Sequence, residues 1–253
     1  MRIRFAISLL NYELRNCWEI SSIVEQRGPD LPEIIIDVAI LKGTQNPYRY
    51  PVALVNEQNP KVRLEYWPTL RGTFARRGLV RNKQLKRALK AGDDWIFFAD
   101  ADRTYHPEFF SGLAKELGGR LRETEKCVSS RLRISTDRES TIAFINQFRD
   151  AGPYHPKAYL RSLKIPREWT WDYAVATGGM QVCRPEVIKR KLGNYCPPNK
   201  CPDRNLFRQG QYARSDVLFR QRMGGSVTVK LPAFIHLNHD RDKTAGKHLE
   251  TQR

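Results

Sequence analysis

The sequence predicts an α/β protein with a mostly parallel central sheet flanked by helices, and three observations carry that expectation. Short apolar runs alternate with stretches of helical spacing, beginning with strand, loop and helix in the first 26 residues. Trp95 to Phe98 is too short to span anything and too apolar for a surface, so it reads as a strand buried on both faces. A basic helix and a Gly92 stop lead into that strand, and Asp100 and Asp102 close it. Two carboxylates then stand at the edge where open α/β sheets bind ligands.

Taken in order, MRIRFAISLL carries two arginines before a six-residue apolar stretch with no small-residue cleavage site after it. It is expected to be a first strand, Arg4 to Leu9, rather than a leader. Asn11 follows its end, and a helix is expected to about Gln26 with Gly28 as its stop. The second strand is EIIIDVAIL, Glu33 to Leu41, apolar except for Asp37. A carboxylate there is either a buried structural group or a ligand contact. Lys61 to Trp67 alternates as a third strand that Pro68 should end. Thr69 to Gly78 is a glycine-punctuated basic loop, and its arginines, Arg77 among them, form an anion site with the backbone N–H groups of the next helix. Leu85, Ala88 and Leu89 give that helix its apolar stripe.

Beyond Asp102, Pro107 to Leu117 reads as a helix stopped by Gly118-Gly119, followed by a strand near Cys127 to Ile134 and a polar helix near Glu139 to Phe148. The irregular passage through Gly152, His155 and Pro166 has no assigned element. In TWDYAVATGGMQVC, Gly178 and Gly179 fall inside a strand-like run, which marks a bulge or a close approach of backbone to ligand. Arg184-Pro185 opens a helix at Glu186 to Lys191, and Gln211 to Arg222 is another, with Asp216 near its start. The last strand lies in FIHLNHDRDKTAG; residues 244–253 are polar and expected to be flexible.

Two carboxylates as close as Asp100 and Asp102 stay ionised together only with positive charge between them, and a divalent ion with oxygen ligands, Mn²⁺ or Mg²⁺, is the usual answer. His236 and His239 supply imidazoles near the end of the last strand. The net charge is +17, and Lys61 to Lys90 holds ten basic residues against one acid, Glu65. One diphosphate needs only a few of these, so a polyanionic partner is expected: nucleic acid, an anionic glycan, or peripheral contact with an anionic membrane. No apolar run approaches the ~20 residues of a membrane span. Five cysteines without regular spacing argue against a disulfide scaffold and for a reducing, cytoplasmic setting, the host's if the chain is viral. Cys196 and Cys201 lack the second pair that a zinc site needs.

Arg81-Asn82, Ala91-Gly92, WIFFADAD and Pro107 resemble the nucleotide-sugar-binding half of family 2 glycosyltransferases, which share the Rossmann-like fold called GT-A. The resemblance implies one domain over 1–243, with 1–106 holding the nucleotide sugar and a smaller acceptor-binding portion at 107–243. It implies transfer of a sugar, with inversion and a metal ion, from a nucleoside diphosphate sugar, UDP favoured, to an acceptor hydroxyl. Arg81 and Asn82 would lie beside base and diphosphate, with Arg77 as substitute, Asn11 and Asp37 would meet the nucleotide, and Gly178 and Gly179 would line the sugar pocket. The stretch that normally follows the acid of the second strand is replaced here by Val38-Ala39-Ile40-Leu41. Of the acid pair that inverting members carry before an Arg, this chain keeps only the second, Asp216, which would be the catalytic base; Ser215 stands at the first, and the Arg falls at Arg222. His239-Asp240-Arg241-Asp242-Lys243 is similar to the metal-binding tail of animal β-1,4-galactosyltransferases, a resemblance that implies His239 as the third ligand beside Asp100 and Asp102, with His236 as the alternative. The charge fits a modified DNA base or an anionic glycan as acceptor. The rivals are a sugar nucleotidyltransferase, for which no early glycine-rich loop is present, and a non-catalytic nucleic-acid-binding domain of the same fold.

Overall fold

A computed structural model describes residues 1–9, 13–43, 52–74, 76–130, 133–135, 180–197, 215–231 and 234–236. The first half winds as β1 (Arg2–Leu9), α1 (Glu13–Val24), β2 (Glu33–Leu41), α2 (Val52–Gln58) and β3 (Val62–Thr69), with the three strands parallel. A short α3 (Arg71–Phe74) and a long α4 (Arg77–Ala91) then carry the chain back across the sheet to β4 (Trp95–Ala99), which pairs with the other side of β1. The strand order β3-β2-β1-β4 therefore reverses direction at β1. In open α/β sheets ligands bind beyond the carboxyl ends of the strands at such a switch point, and that is where Asp100 and Asp102 stand.

The second half completes this sheet and adds another. β5 (Arg103–Tyr105), α5 (Phe109–Gly118), β6 (Cys127–Ser130), β7 (Arg133–Ser135), β8 (Met180–Cys183), α6 (Pro185–Leu192), α7 (Ser215–Arg222), β9 (Ser226–Val229) and β10 (Phe234–His236) follow. The seven-stranded sheet has the order β3-β2-β1-β4-β8-β6-β9, with β8 antiparallel to β4 and β6, and a three-stranded sheet has the order β5-β10-β7. The predicted mostly parallel sheet with helices on both faces is present.

Alternation along the strands divides the core into two layers. Ile3, Phe5, Ile7, Trp95 and Phe97 point to the layer containing α1 and α5; Ala6, Ile96 and Phe98 point to the layer containing α4, α6 and α7. Phe97 is fully buried among Phe5, Tyr105, Phe109 and Phe110, so its truncation to Ala would cost about 3–5 kcal/mol. α4 ends at Gly92, whose φ of 66° and N–H bonds to Ala88 and Leu89 carbonyls make it the stop that the sequence predicts.

Several boundaries differ from expectation. β3 continues through Pro68 to Thr69, because it is an edge strand and a proline there can turn its missing N–H away from the ladder. α4 begins at Arg77 instead of Arg81, since Gly78 and Val80 are buried and carry the apolar stripe one turn further. The predicted single strand from Cys127 to Ile134 is two, β6 and β7, in different sheets. α2, β5 and β9 are too short to have shown a period in the sequence.

Candidate active site

The chain leaves β4 at Ala99 and bends through residues 100–102 before entering β5 at Arg103. Asp100 and Asp102 therefore sit in a bend rather than on the extended strand that their spacing suggested. The Asp100 side chain keeps 23% exposure and that of Asp102 12%. Arg77 Nη2 pairs with Asp100 Oδ1, and Arg81 Nη2 lies 3.9 Å from the same oxygen. Arg103 Nη2 donates to Asp100 Oδ2 at 3.1 Å, and its Nε lies 3.8 Å from Asp102 Oδ1. One carboxylate thus faces three guanidiniums. Arg77 and Arg81 are one helical turn apart at the start of α4, where the helix dipole adds positive potential at the same edge.

Arg81 is held in place from behind. Its Nη1 donates to the Tyr195 hydroxyl and, at 3.1 Å, to Gln181 Oε1. The Tyr195 hydroxyl donates to the same Oε1 at 2.9 Å, and Gln181 Nε2 donates to the Asp216 carbonyl at 2.8 Å. Burial raises the Tyr195 pKa; Arg81 and Arg77 oppose that shift, and Asp216 adds to it, so one phenol senses both sides of the site. Asp216 itself lies in the first turn of α7, half-buried, with Oδ1 accepting the Val217 N–H at 2.9 Å. Arg222 donates to the carbonyls of Tyr195 and Leu192.

Asn82 is occupied by backbone: it donates to the Cys196 carbonyl at 2.7 Å and accepts the Cys196 N–H at 2.9 Å. Asp37 is fully buried and accepts from Arg4 at 2.6 Å, Arg87 at 2.7 Å and Trp67 Nε1 at 2.5 Å. Of the two readings open for Asp37, this geometry matches the structural one. Burial works against the Arg4 charge, but the hydrogen bond to Asp93 and the fields of Asp37 and Asp93 outweigh it and raise its pKa.

Asn11, Gly178, Gly179 and His239 lie outside the described residues, as do His155, Cys201, the helix predicted at 139–148 and residues 244–253. His236 is the last residue of β10, and its backbone pairs with Arg103, next to Asp102. Among the described residues no group of three His, Cys, Asp or Glu side chains could hold a metal. The two acids offer hard oxygen donors suited to Mn²⁺ or Mg²⁺; further donors would have to come from elsewhere in the chain, from the substrate or from water. Asp100 would have to give up part of its arginine contact.

The sequence reading missed Glu19, Gln181 and Tyr195. Glu19 sits on α1 with 0% exposure, and among the described residues neither carboxylate oxygen has a hydrogen-bond partner. The signal for it was a charge flanked by Trp18 and Ile20, and for Gln181 an amide within the apolar run Met180 to Cys183. Tyr195 had none. A cleft of about 860 Å³, lined in part by Met1, Pro29, Lys61 and Lys115, opens where β1 and β2 begin, at the edge opposite the carboxylates.

No protein-family model and no curated protein matches the chain. Solved structures do. The crystal structure of S. aureus TarS superposes with a TM-score of 0.55 at 13% identity, covering 94% of this chain and 37% of TarS. The fold is of the GT-A type. TarS 1–349 in complex with UDP matches at a TM-score of 0.56 and 12% identity over 94% of this chain and 61% of that one. TarS 1–349 with UDP-GlcNAc matches at 0.56 and 13% over 97% and 60%. The chain therefore spans between 37% and 61% of the length of the proteins it matches.

Proposed function

We propose that the protein is a nucleotide-sugar-dependent glycosyltransferase that uses a UDP-sugar and works with inversion. The observation that carries this reading is the position of Asp100, Asp102, Arg77 and Arg81 at the β1/β4 switch point of a GT-A fold. The TarS complexes with UDP and UDP-GlcNAc support the donor class. Residues 1–106 serve the donor in this reading, with Asn11 at its edge, and 107–243 serve the acceptor, with Gly178 and Gly179 against the sugar.

The reaction is a single displacement. The acceptor oxygen attacks the anomeric carbon, the bond from that carbon to the diphosphate oxygen breaks, and its electron pair leaves with UDP. Asp216 accepts the hydroxyl proton as the new bond forms. Arg77 and Arg81 stabilise the negative charge that gathers on the leaving oxygens. A Mn²⁺ or Mg²⁺ ion on Asp100, Asp102 and His239 would supply Lewis-acid neutralisation of the same charge. The β10 register supports His239 as a ligand: it lies three residues beyond His236, a reach of about 10 Å from a backbone paired with Arg103.

The arginines around Asp100 favour a second reading, in which guanidiniums receive the departing diphosphate without a metal. Hydrolysis of UDP-GlcNAc to UDP, with water as acceptor, separates the two. On the metal reading, EDTA and Asp102→Ala each abolish turnover, and Mn²⁺ restores the chelated wild type; on the arginine reading EDTA has no effect and Arg77→Ala is the severe change. In both, Asp216→Asn binds UDP as the wild type does and loses about 10²–10⁴ in kcat. Undiminished kcat in Asp216→Asn removes the base assignment. The acceptor is proposed to be polyanionic, a modified DNA base or an anionic glycan, because the charge of +17 far exceeds what one diphosphate requires.

A further inference from the structure

Gln181 is a polar residue where packing alone would favour an apolar one. It pairs across strands with Phe98 and so shares the face that looks toward α4 and α7, and it is 1% exposed between buried Met180 and Val182. A buried amide costs stability unless its bonds are satisfied, and a leucine or methionine would fill the same space without that demand. Every polar atom of Gln181 meets a matching partner. Its oxygen accepts from Arg81 and from Tyr195, and its nitrogen donates to the Asp216 carbonyl; these partners also fix which end of the amide is which.

Tyr195 makes a second connection between the same two places. Its hydroxyl accepts from Arg81, while its ring stacks on Phe219 of α7 with centroids 4.1 Å apart and planes 22° apart. The Arg81 guanidinium lies over that ring, 5.0 Å from its centroid. Arg81 cannot move without disturbing both the amide and the phenol, and each of these is tied to the first two turns of α7.

We infer that Gln181 and Tyr195 are positioning residues that hold the donor-side Arg81 and the acceptor-side Asp216 in one rigid frame. The inference rests on the proposed glycosyl transfer. A displacement needs the attacking oxygen, anomeric carbon and leaving oxygen in line, and misplacement by about 1 Å can cost on the order of 10²-fold in rate. A frame that joins the leaving-group cation through one buried amide to the backbone of the base keeps that line fixed.

The test uses the full chain and UDP-GlcNAc hydrolysis, with the folded fraction of each variant counted by UDP titration. Gln181→Glu keeps an oxygen toward Arg81 and Tyr195 but cannot donate to the Asp216 carbonyl. It is expected to lower kcat about tenfold or more while the donor KM stays within about twofold. Tyr195→Phe keeps the ring on Phe219 and loses the hydroxyl; it is expected to raise the donor KM severalfold with a smaller effect on kcat. If both variants match the wild type per folded molecule, or lower only the melting temperature, the inference is overturned while the transferase reading stands. A wild type that neither binds UDP nor hydrolyses UDP-GlcNAc overturns the transferase reading and this inference with it.

Discussion

Burial of the Glu19 carboxyl raises its pKa well above the ordinary carboxylate range, with the field of Asp102 adding to the shift and Arg103 opposing it. The native state therefore holds a proton that the unfolded chain releases above its ordinary carboxylate pKa. With more protons bound in the native state, stability falls as pH rises from that value toward the raised one. Glu19→Gln removes the titration and keeps the shape. Its melting temperature should match the wild type near pH 4 and exceed it increasingly toward pH 8; parallel curves across that range would show that Glu19 is ionised in the native protein. The position had a trace in the sequence, as a charge between apolar neighbours. Its partners had none, because Asp102 and Arg103 lie more than eighty residues away along the chain. Asp37 teaches the same lesson. Its strand could be read locally, but Arg4, Trp67 and Arg87, which neutralise and bond it, come from three other elements.

At the scale of elements, two glycines with positive φ differ in what surrounds them. Gly92 at 66° has open space where a Cβ would stand, so Gly92→Ala should cost only the left-handed conformation, about 1–2 kcal/mol. Gly28 has a φ of 124°, and a Cβ there would lie 2.5 Å from Ser111 Oγ and 2.6 Å from Ser111 Cβ on α5. Gly28→Ala adds a clash with a fixed atom to the backbone strain, so it should cost roughly 3 kcal/mol or more. Denaturant midpoints for the two variants decide the order; equal losses would remove the close approach of α5. Both glycines were read in the sequence as helix stops; Gly92 is one, whereas α1 already ends at Val24, four residues before Gly28. Which of them also made room for another element depended on how α5 packs.

Across the molecule, six of the basic residues behind the net charge of +17 fall on α4, an element that begins at the site and carries no acid. Arg77 opens α4 beside Asp100, and Lys83, Lys86 and Lys90 stand exposed further along the same helix. On the proposed reading, this row is where a polyanionic acceptor would bind. If it does, retention on duplex DNA should fall linearly in log–log against salt, and replacing the three lysines by Gln should reduce that slope by about 3. An unchanged slope in the triple variant would place the polyanion elsewhere, and retention on anionic liposomes but not on DNA would name a membrane glycan instead. Among the described residues no helix is long and apolar enough to cross a membrane.

The opening β1, α1 and β2, the helix α4, the buried β4 and the pair of acids after it were settled by short-range patterning, because a strand covered on both faces must be apolar throughout and can release polar groups only at its end. The arginine ring around Asp100, the seal on Asp37 and the bridge from Arg81 through Gln181 to Asp216 were settled by the tertiary arrangement. Each joins groups from different elements, separated by up to about a hundred residues, and a side chain finds such a partner only after the sheet has brought those elements to one edge.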